Sequence, residues 1–259
     1  MEIPDSSIDK LRSYLEAIRG SGRLQETKCP SGIGALAEGL PVGVGPVQGA
    51  NIILKEDTAV ELGSPDLGSC AFVLTSHDTS LVRDGVITLV GPDVPESVGR
   101  SLPFAQVLLV AGNELRDQHH LVLEQHHMIS NRIEGYMVRL APQRQRMWTR
   151  VSKSAVEKGF TFETLGRALM AVYKSELPII EAAEVVFVTS SSEDVEGLKG
   201  IAAEVQKERS EALSRRFKMQ ADGTYECTSE YVDCRSCPDE PICDEVRGLI
   251  RLRRKTRSD

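Results

Sequence analysis

The feature that most constrains the fold is a series of short apolar runs, rich in β-branched residues and separated by Asp, Gly and Pro. The runs cover residues 51–54, 59–62, 71–75, 85–90 and 105–110. Runs of this length and composition predict β-strands. Because the connections between them are short, we expect the strands to pair in an antiparallel or mixed sheet.

Helical periodicity surrounds these runs. Apolar residues from Ile8 to Ile18 recur on one helical face and predict an amphipathic helix that ends at 20–22. Further helices are predicted over 114–136, 153–158 and 162–177, and from Ser191 or Ser192 to about 217, with a buried strand over 184–189. The combination predicts an α+β fold in which helices pack on a mixed sheet.

The composition of the sequence changes after Lys218, where it becomes rich in cysteine and then in basic residues. Asp222-Gly223 is a turn signal at this point. We therefore predict three segments. An N-terminal helix and loop cover 1–40, the α+β domain covers 41–218, and a small metal-binding tail covers 219–259.

Four of the six cysteines stand within this tail, as Cys227-x6-Cys234-x2-Cys237-x5-Cys243. Four thiolates this close can hold a [4Fe-4S] cluster or a tetrahedral zinc ion. Zinc commonly uses two separated Cys-x2-Cys pairs and this chain has one, so the pattern favours iron–sulfur, with zinc as the alternative. Cys29 and Cys70 are expected to be buried or loop cysteines that act as small hydrophobes.

Composition excludes several classes of protein. The 259 residues are 41% hydrophobic and 27% charged, which is ordinary for a globular protein. No apolar run approaches the ~18 to 20 residues that a membrane span requires, and the N-terminus lacks the order of a secretory signal, so a cytoplasmic location is expected. The net charge of −7 makes nucleic acid an unlikely partner.

A basic stretch interrupts this acidic background, with eight basic and three acidic residues between 132 and 167. It contains the single tryptophan, Trp148, close to Arg144 and Arg150. Arginines match phosphate groups and an indole offers a stacking face, so these three residues suit a phosphorylated nucleotide such as coenzyme A. The alternative is a solvated basic face above a core tryptophan.

Several motifs resemble one known family. They are Asn131-Arg-Ile-Glu-Gly-Tyr136, Gln143-Arg-x3-Trp148-x-Arg-Val-Ser152-Lys-x3-Glu-Lys-Gly-Phe160 and Tyr173-Lys-Ser-Glu-Leu-Pro-Ile-Ile-Glu181, with shorter matches at 41–43, 55–63 and 87–93. In this order they resemble the acetyl-CoA synthase family, and more narrowly the beta subunit of the acetyl-CoA decarbonylase/synthase complex, which works with carbon monoxide dehydrogenase. The resemblance covers about residues 40–218.

The resemblance implies a mixed α+β middle domain linked to coenzyme A binding, with Trp148, Arg144 and Arg150 as the matching positions. Members of the family continue into a domain that holds a nickel–iron–sulfur cluster on a Cys-Thr-x-Cys start and a later Cys-Gly-Cys. Here Cys227-Thr228 resembles that start, but Glu230 stands where the next cysteine is expected and Cys-Gly-Cys does not occur. The resemblance therefore implies a shortened relative with an incomplete nickel site, and it leaves open whether the chain is an enzyme.

Three functions follow as hypotheses. The leading one is an accessory or electron-transfer protein with one [4Fe-4S] cluster, acting beside a corrinoid or CO dehydrogenase-type partner in one-carbon metabolism. The second is an acyl- or methyl-transfer partner enzyme that binds coenzyme A. The third is a binding module with a zinc-stapled tail, in which the basic residues of 247–257 contact an acidic protein or nucleic acid.

Overall fold

A computed structural model describes residues 6–20, 22–29, 38–45, 52–115, 123, 132–141, 146–219 and 225–227. The helices are α1 (Ser6–Arg19), α2 (Lys153–Glu157), α3 (Phe162–Glu176) and α4 (Ser192–Arg216). The strands are β1 (Leu24–Lys28), β2 (Thr58–Leu62), β3 (Ser69–Ser76), β4 (Val86–Val90), β5 (Ser101–Leu102), β6 (Phe104–Ala111), β7 (Tyr136–Ala141), β8 (Arg146–Ser152), β9 (Ala182–Val188), β10 (Phe217–Met219) and β11 (Tyr225–Cys227).

The chain divides into two compact units, Met1–Lys207 and Glu208–Asp259. In the second unit, β10 and β11 form an antiparallel pair in which Phe217 lies opposite Cys227. The predicted boundary at 218/219 stays a prediction. None of the helices in the described part of the chain is long and apolar enough to cross a membrane.

A five-stranded mixed sheet forms the centre of the first unit, in the order β1-β4-β9-β6-β3. The pairs β4/β9 and β3/β6 are parallel, while β1/β4 and β6/β9 are antiparallel. Strands β4, β6 and β9 are buried along their whole length, whereas β1 at one edge is largely exposed. Two-sided burial explains why the central strands read as continuous apolar runs in the sequence.

A second sheet of four strands, in the order β5-β2-β8-β7, packs its inner face into the same core. Strands β2/β8 and β8/β7 are antiparallel, and the short β5 runs parallel to β2. The two sheets are also joined by a hydrogen bond of 2.8 Å from the Met147 amide of β8 to Ser69 Oγ of β3.

The helices pack against opposite faces of the five-stranded sheet. Apolar residues of α1 and α4, among them Leu11, Leu15 and Leu198, are buried against one face. On the other face lies α3, whose apolar stripe includes Leu165 and Leu169 and packs in the core shared with the second sheet. The α+β class with mixed sheets and packed helices is therefore confirmed.

A buried ion-pair network fastens α1 to the central sheet. Glu184 of β9 is fully buried and accepts two hydrogen bonds of 2.6 Å from the Arg12 guanidinium of α1. The same carboxylate accepts hydrogen bonds of 3.0 and 2.5 Å from Nε and Nη2 of Arg83. A charge this deep requires such partners, since an unpaired buried carboxylate would be strongly destabilising.

Most of the predicted elements are confirmed within a few residues, including α1, α3 and the strands β3, β4, β6 and β9 of the five-stranded sheet. Two expectations were wrong. Residues 52–54 are not in a strand, since they have no secondary-structure assignment. The helix predicted over 114–136 does not reach its expected end, because 132–135 form a bridge and turns and Tyr136 begins β7.

Candidate functional site

The candidate ligand face lies on the outer side of the second sheet. Along β8 the side chains alternate, so that Met147, Thr149 and Val151 are buried while Trp148 and Arg150 point outward and are half-buried. This alternation is the period of a β-strand with one face in the core. The two residues that the sequence predicts, Trp148 and Arg150, are thus neighbours on the same face of β8, two positions apart.

Glu61 of β2 joins them, because it lies opposite Arg150 in the strand register. We call Glu61, Ser101, Trp148 and Arg150 the tryptophan face. Trp148 Nε1 donates a hydrogen bond of 2.9 Å to Glu61 Oε1, and Arg150 Nε and Nη2 donate bonds of 3.3 Å to the same oxygen. Ser101 Oγ donates to Glu61 Oε2 at 3.3 Å.

Arg150 also covers the indole. Its guanidinium carbon lies 4.5 Å from the centroid of the Trp148 ring, which is cation–π distance. Its Nη1 donates a 3.1 Å hydrogen bond to the backbone carbonyl of Ile53. Since each side chain is held by at least one other, the indole has a defined orientation with one ring face covered and part of its surface open to solvent.

The remaining predicted site residues fall elsewhere. Arg144 lies outside the described residues, as do Cys234, Cys237 and Cys243. The backbone of Cys227 forms the last residue of β11. Among the residues that the structure does describe, no group of three or more His, Cys, Asp or Glu side chains is placed to hold a metal ion.

The two cysteines of the first unit are buried, as the sequence predicts. Burial raises the pKa of the Cys70 thiol to about 12, against an opposing effect of the nearby Lys199 charge. Burial likewise raises the pKa of Cys29, although Arg167 opposes the shift. Thiols held in this neutral form are poor nucleophiles and poor metal ligands, which leaves the four-cysteine motif as the better donor set.

The other motif residues meet in a different place, on the inner side and at the rim of the second sheet. We call this group the motif junction; it consists of Arg132, Glu134, Gly135, Tyr136, Ser152, Lys158, Phe160 and Glu176. Its ion pairs join three separate motifs. Arg132 pairs with Glu176 of α3, and Lys158 Nζ donates a 2.7 Å hydrogen bond to Glu134 Oε1.

Glu134 has a second partner, because the Gly43 amide donates to its Oε2 at 2.9 Å. The hydrogen bond from Lys158, followed by the one from Gly43, lowers the pKa of Glu134. The carboxylate therefore fixes the 38–45 loop to the motif junction as well as binding Lys158.

The centre of the motif junction is aromatic. Tyr136 and Phe160 are fully buried, and their rings stack with centroids 6.2 Å apart. Tyr136 OH donates to Gln106 Oε1 of β6 at 3.2 Å, and burial raises the pKa of this phenol above its ordinary value. A buried neutral phenol with a fixed partner is a structural group, since it is closed to solvent.

Gly135 permits this packing. Its φ of +72° suits glycine, and a Cβ there would stand 2.5 Å from Ala155 Cβ and 2.8 Å from Ser152 Oγ. Ser152 also caps α2, since its Oγ accepts a hydrogen bond from the Ala155 amide. The backbone of the motif is thus in direct contact with the first turn of α2.

The structure also explains the basic stretch of the sequence. Three of its members have acidic partners in contact, namely Arg132, Arg150 and Lys158. Glu61 and Glu176, two of these acids, come from outside the stretch. Part of the positive charge of this stretch is therefore balanced by acidic side chains from elsewhere in the folded chain.

Sequence reasoning did not single out two members of the tryptophan face, Glu61 and Ser101, of which Glu61 contacts both predicted residues. The signal was present, because Glu61 belongs to the 55–63 match and is a charged residue between the apolar residues Val60 and Leu62. The strand register that places it against Arg150 could not be read from the sequence.

Comparison with known proteins places this chain in a family. The family described as CO dehydrogenase/acetyl-CoA synthase complex beta subunit matches residues 40–195. The subunit beta of the acetyl-CoA decarbonylase/synthase complex from Archaeoglobus fulgidus is 31% identical over 219 residues, which cover 83% of this chain and 40% of that protein. The corresponding subunit from Methanopyrus kandleri is 34% identical over 208 residues, covering 79% of this chain and 43% of that protein.

The chain therefore belongs to the CO dehydrogenase/acetyl-CoA synthase complex beta-subunit family, as its motifs indicate. It spans about 40% of the length of these relatives. The four-cysteine motif begins after the matched segment, which ends at 195.

Proposed function

We propose that this chain is an accessory member of its family that carries one [4Fe-4S] cluster on Cys227, Cys234, Cys237 and Cys243 and serves a corrinoid or CO dehydrogenase-type partner in one-carbon metabolism. The observation that carries the proposal is the presence of four thiolate donors within 17 residues, in a unit separate from the family-matched body. When bound, a cluster of this type supplies one-electron redox chemistry.

The donor set fits such a cluster by its chemistry. Four cysteines satisfy the four irons of a cubane, and they follow a body whose own two thiols are buried. A cluster bound by the four thiolates would stabilise the segment that holds them. A zinc ion on the same thiolates is the competing outcome.

The partner half of the proposal rests on the relatives. They are named as beta subunits of a multi-subunit acetyl-CoA decarbonylase/synthase complex. Since residues 40–195 of this chain match the same family, we extend to it an association with a protein of that complex or a related corrinoid protein.

Substitution of Cys234 by Ser tests the cluster. In anaerobically purified protein, Cys234→Ser is expected to lose most of the iron and the broad absorbance near ~400 nm that such clusters give. The matched control is Cys29→Ala, a cysteine of the body, which is expected to retain both. Unchanged iron content and absorbance in Cys234→Ser would overturn the assignment.

A second function, coenzyme A binding at Arg144, Trp148 and Arg150, is favoured by one observation. Trp148 and Arg150 stand side by side on an outward face, in contact and partly open to solvent. Such a face would serve an acyl- or methyl-transfer partner enzyme by holding the nucleotide end of the coenzyme, with the indole stacking on the planar base.

Titration with coenzyme A tests this second function, since Trp148 is the single tryptophan and its fluorescence reports on the face directly. We expect saturable quenching, together with heat in calorimetry that disappears in Trp148→Ala. Absence of both quenching and heat in the unmodified protein would overturn it.

A further inference from the structure

Glu61 already accepts hydrogen bonds from the indole N–H and the guanidinium nitrogens that would otherwise donate to a phosphate. Its Oε1 accepts the Trp148 indole N–H at 2.9 Å and the Nε and Nη2 of Arg150 at 3.3 Å. The third guanidinium nitrogen, Nη1, donates to the Ile53 carbonyl at 3.1 Å. Every nitrogen of Arg150 therefore has an acceptor within the chain.

The charges of the two side chains also cancel. Glu61 and Arg150 contribute one negative and one positive charge, and both are more than two-thirds buried, with side-chain exposures of 28% and 17%. A phosphate that approached Arg150 would meet the Glu61 carboxylate on the same guanidinium. Like charges at that distance repel, so the pair disfavours an anion at Arg150.

The indole itself remains available. Arg150 covers one face of the Trp148 ring, and the side chain is partly exposed to solvent. A planar ligand that stacked on the exposed part of the ring would break none of these bonds. Stacking of a heteroaromatic base requires no net charge on the protein. The chemistry left open on the tryptophan face is that of an uncharged planar ring.

We infer that Glu61 sets the ligand class of the tryptophan face: it makes the face bind the planar base of a nucleotide and keeps phosphate groups away from Arg150. This inference rests on the proposed nucleotide-binding function of the same face. Arg150 then acts as a positioning residue for the indole, and phosphate recognition falls to other cations of the chain.

The test compares adenosine with adenosine monophosphate, read by Trp148 fluorescence and by calorimetry, in the unmodified protein, in Glu61→Gln and in Glu96→Gln. Glu96 is exposed and is not a member of the tryptophan face, so its substitution removes the same charge without removing a hydrogen bond of that face. Far-ultraviolet circular dichroism first establishes that each variant is folded.

In the unmodified protein and in Glu96→Gln, we expect the two ligands to bind equally well, with little dependence on salt. In Glu61→Gln, the monophosphate is expected to bind about fivefold tighter than adenosine, because one unit charge at about 4 Å in a water-like medium changes affinity by that factor. High salt should remove this preference, which a purely structural role of Glu61 would not produce.

Two results would overturn the inference while leaving the proposed function intact. One is an unmodified protein that already prefers the monophosphate as strongly as Glu61→Gln does. The other is a protein that binds coenzyme A but not adenosine, with Glu61→Gln indifferent to the phosphate. Failure of adenosine, the monophosphate and coenzyme A alike to bind the unmodified protein would overturn the nucleotide-binding function and the inference together.

Discussion

The motif junction and the tryptophan face draw on the same stretches of sequence but are organised in opposite ways. In the motif junction, Tyr136 and Phe160 are fully buried and Gly135 admits no larger residue without displacement. On the tryptophan face, Trp148 and Arg150 are half-buried and are held by a lateral contact with Glu61. The same motif therefore contributes to a closed structural group and to an open face.

Part of this difference comes from the alternation of side chains along β8. Successive residues of a strand point to opposite sides of the sheet, so one motif supplies the core with Met147 and Val151 and the surface with Trp148 and Arg150. A motif of this kind therefore contains residues that support the fold and residues that lie on the open face. The position of each residue along the strand decides to which of these two groups it belongs.

The largest expected difference between the two groups is in stability. Substituting Phe160 by Ala should lower the free energy of unfolding by about 3–5 kcal/mol, because it removes a fully buried ring stacked on Tyr136. Urea unfolding followed by circular dichroism measures the change. Trp148→Phe is the matched variant on the tryptophan face and should cost about 1 kcal/mol, mainly the hydrogen bond to Glu61. Equal costs would contradict the distinction between the two groups.

Gly135→Ala should cost about 2–3 kcal/mol, since the new Cβ meets Ala155 at 2.5 Å in a backbone conformation with positive φ. Gly99→Ala is the control, because Gly99 has a similar φ of +79° but no atom within 4 Å of the added Cβ. The control should lose about 1 kcal/mol from the backbone conformation alone. If thermal and urea unfolding gave the same loss for both, close packing would not be what Gly135 permits.

Glu61→Gln should change stability by less than about 1 kcal/mol, because its pair with Arg150 is partly solvated and the amide keeps one acceptor oxygen. Thermal unfolding at neutral pH measures this. A loss above about 3 kcal/mol would place Glu61 with the structural residues, as expected of a fully buried ion pair whose partner is left uncompensated.

The smallest effect concerns the exposed rim of the motif junction. The folded chain holds the pKa of Glu134 below its ordinary 4.5, so the pairing with Lys158 stabilises the fold above that pH and the contribution is lost as pH falls through the lowered pKa. Glu134→Gln should therefore cost about 0.5 kcal/mol at pH 7, a value typical of exposed pairs.

At acidic pH the difference between the unmodified protein and Glu134→Gln should shrink towards zero. Lys158→Gln should lose as much at pH 7, and the double variant should lose no more than either single one if the pair alone is responsible. A loss in Glu134→Gln that Lys158→Gln does not share would show that the hydrogen bond from Gly43, rather than the ion pair, carries the effect.

Much of the fold could be predicted from local patterns. The apolar faces of α1 and α3 and the continuous apolar runs of β4, β6 and β9 have a clear period or length, and Pro178 follows the end of α3 as expected. The edge strand β1 was not predicted because its residues, Leu24–Lys28, are mostly polar and exposed. Its place in the sheet comes from pairing with β4.

The β7/β8 hairpin was missed for a related reason. The alternation of β8 is broken in the sequence, because the apolar Trp148 faces outward and the polar Thr149 is buried. The helix predicted over 114–136 also included Tyr136, which begins β7. The site was predicted in part: Trp148 and Arg150 do meet, but their shared partner Glu61 is 87 residues away from Trp148 in the chain. Contacts of such separation depend on sheet topology, which local patterns do not contain.

The central claim is that the four-cysteine segment holds an iron–sulfur cluster beside a body of this family. Determination of iron, sulfide and zinc, with an absorption spectrum, on the whole chain purified without oxygen tests it most directly. The account predicts about four irons and four sulfides per chain and a broad band near ~400 nm. One zinc per chain in a colourless, iron-free protein would contradict it, and would indicate that the four cysteines form a structural zinc site.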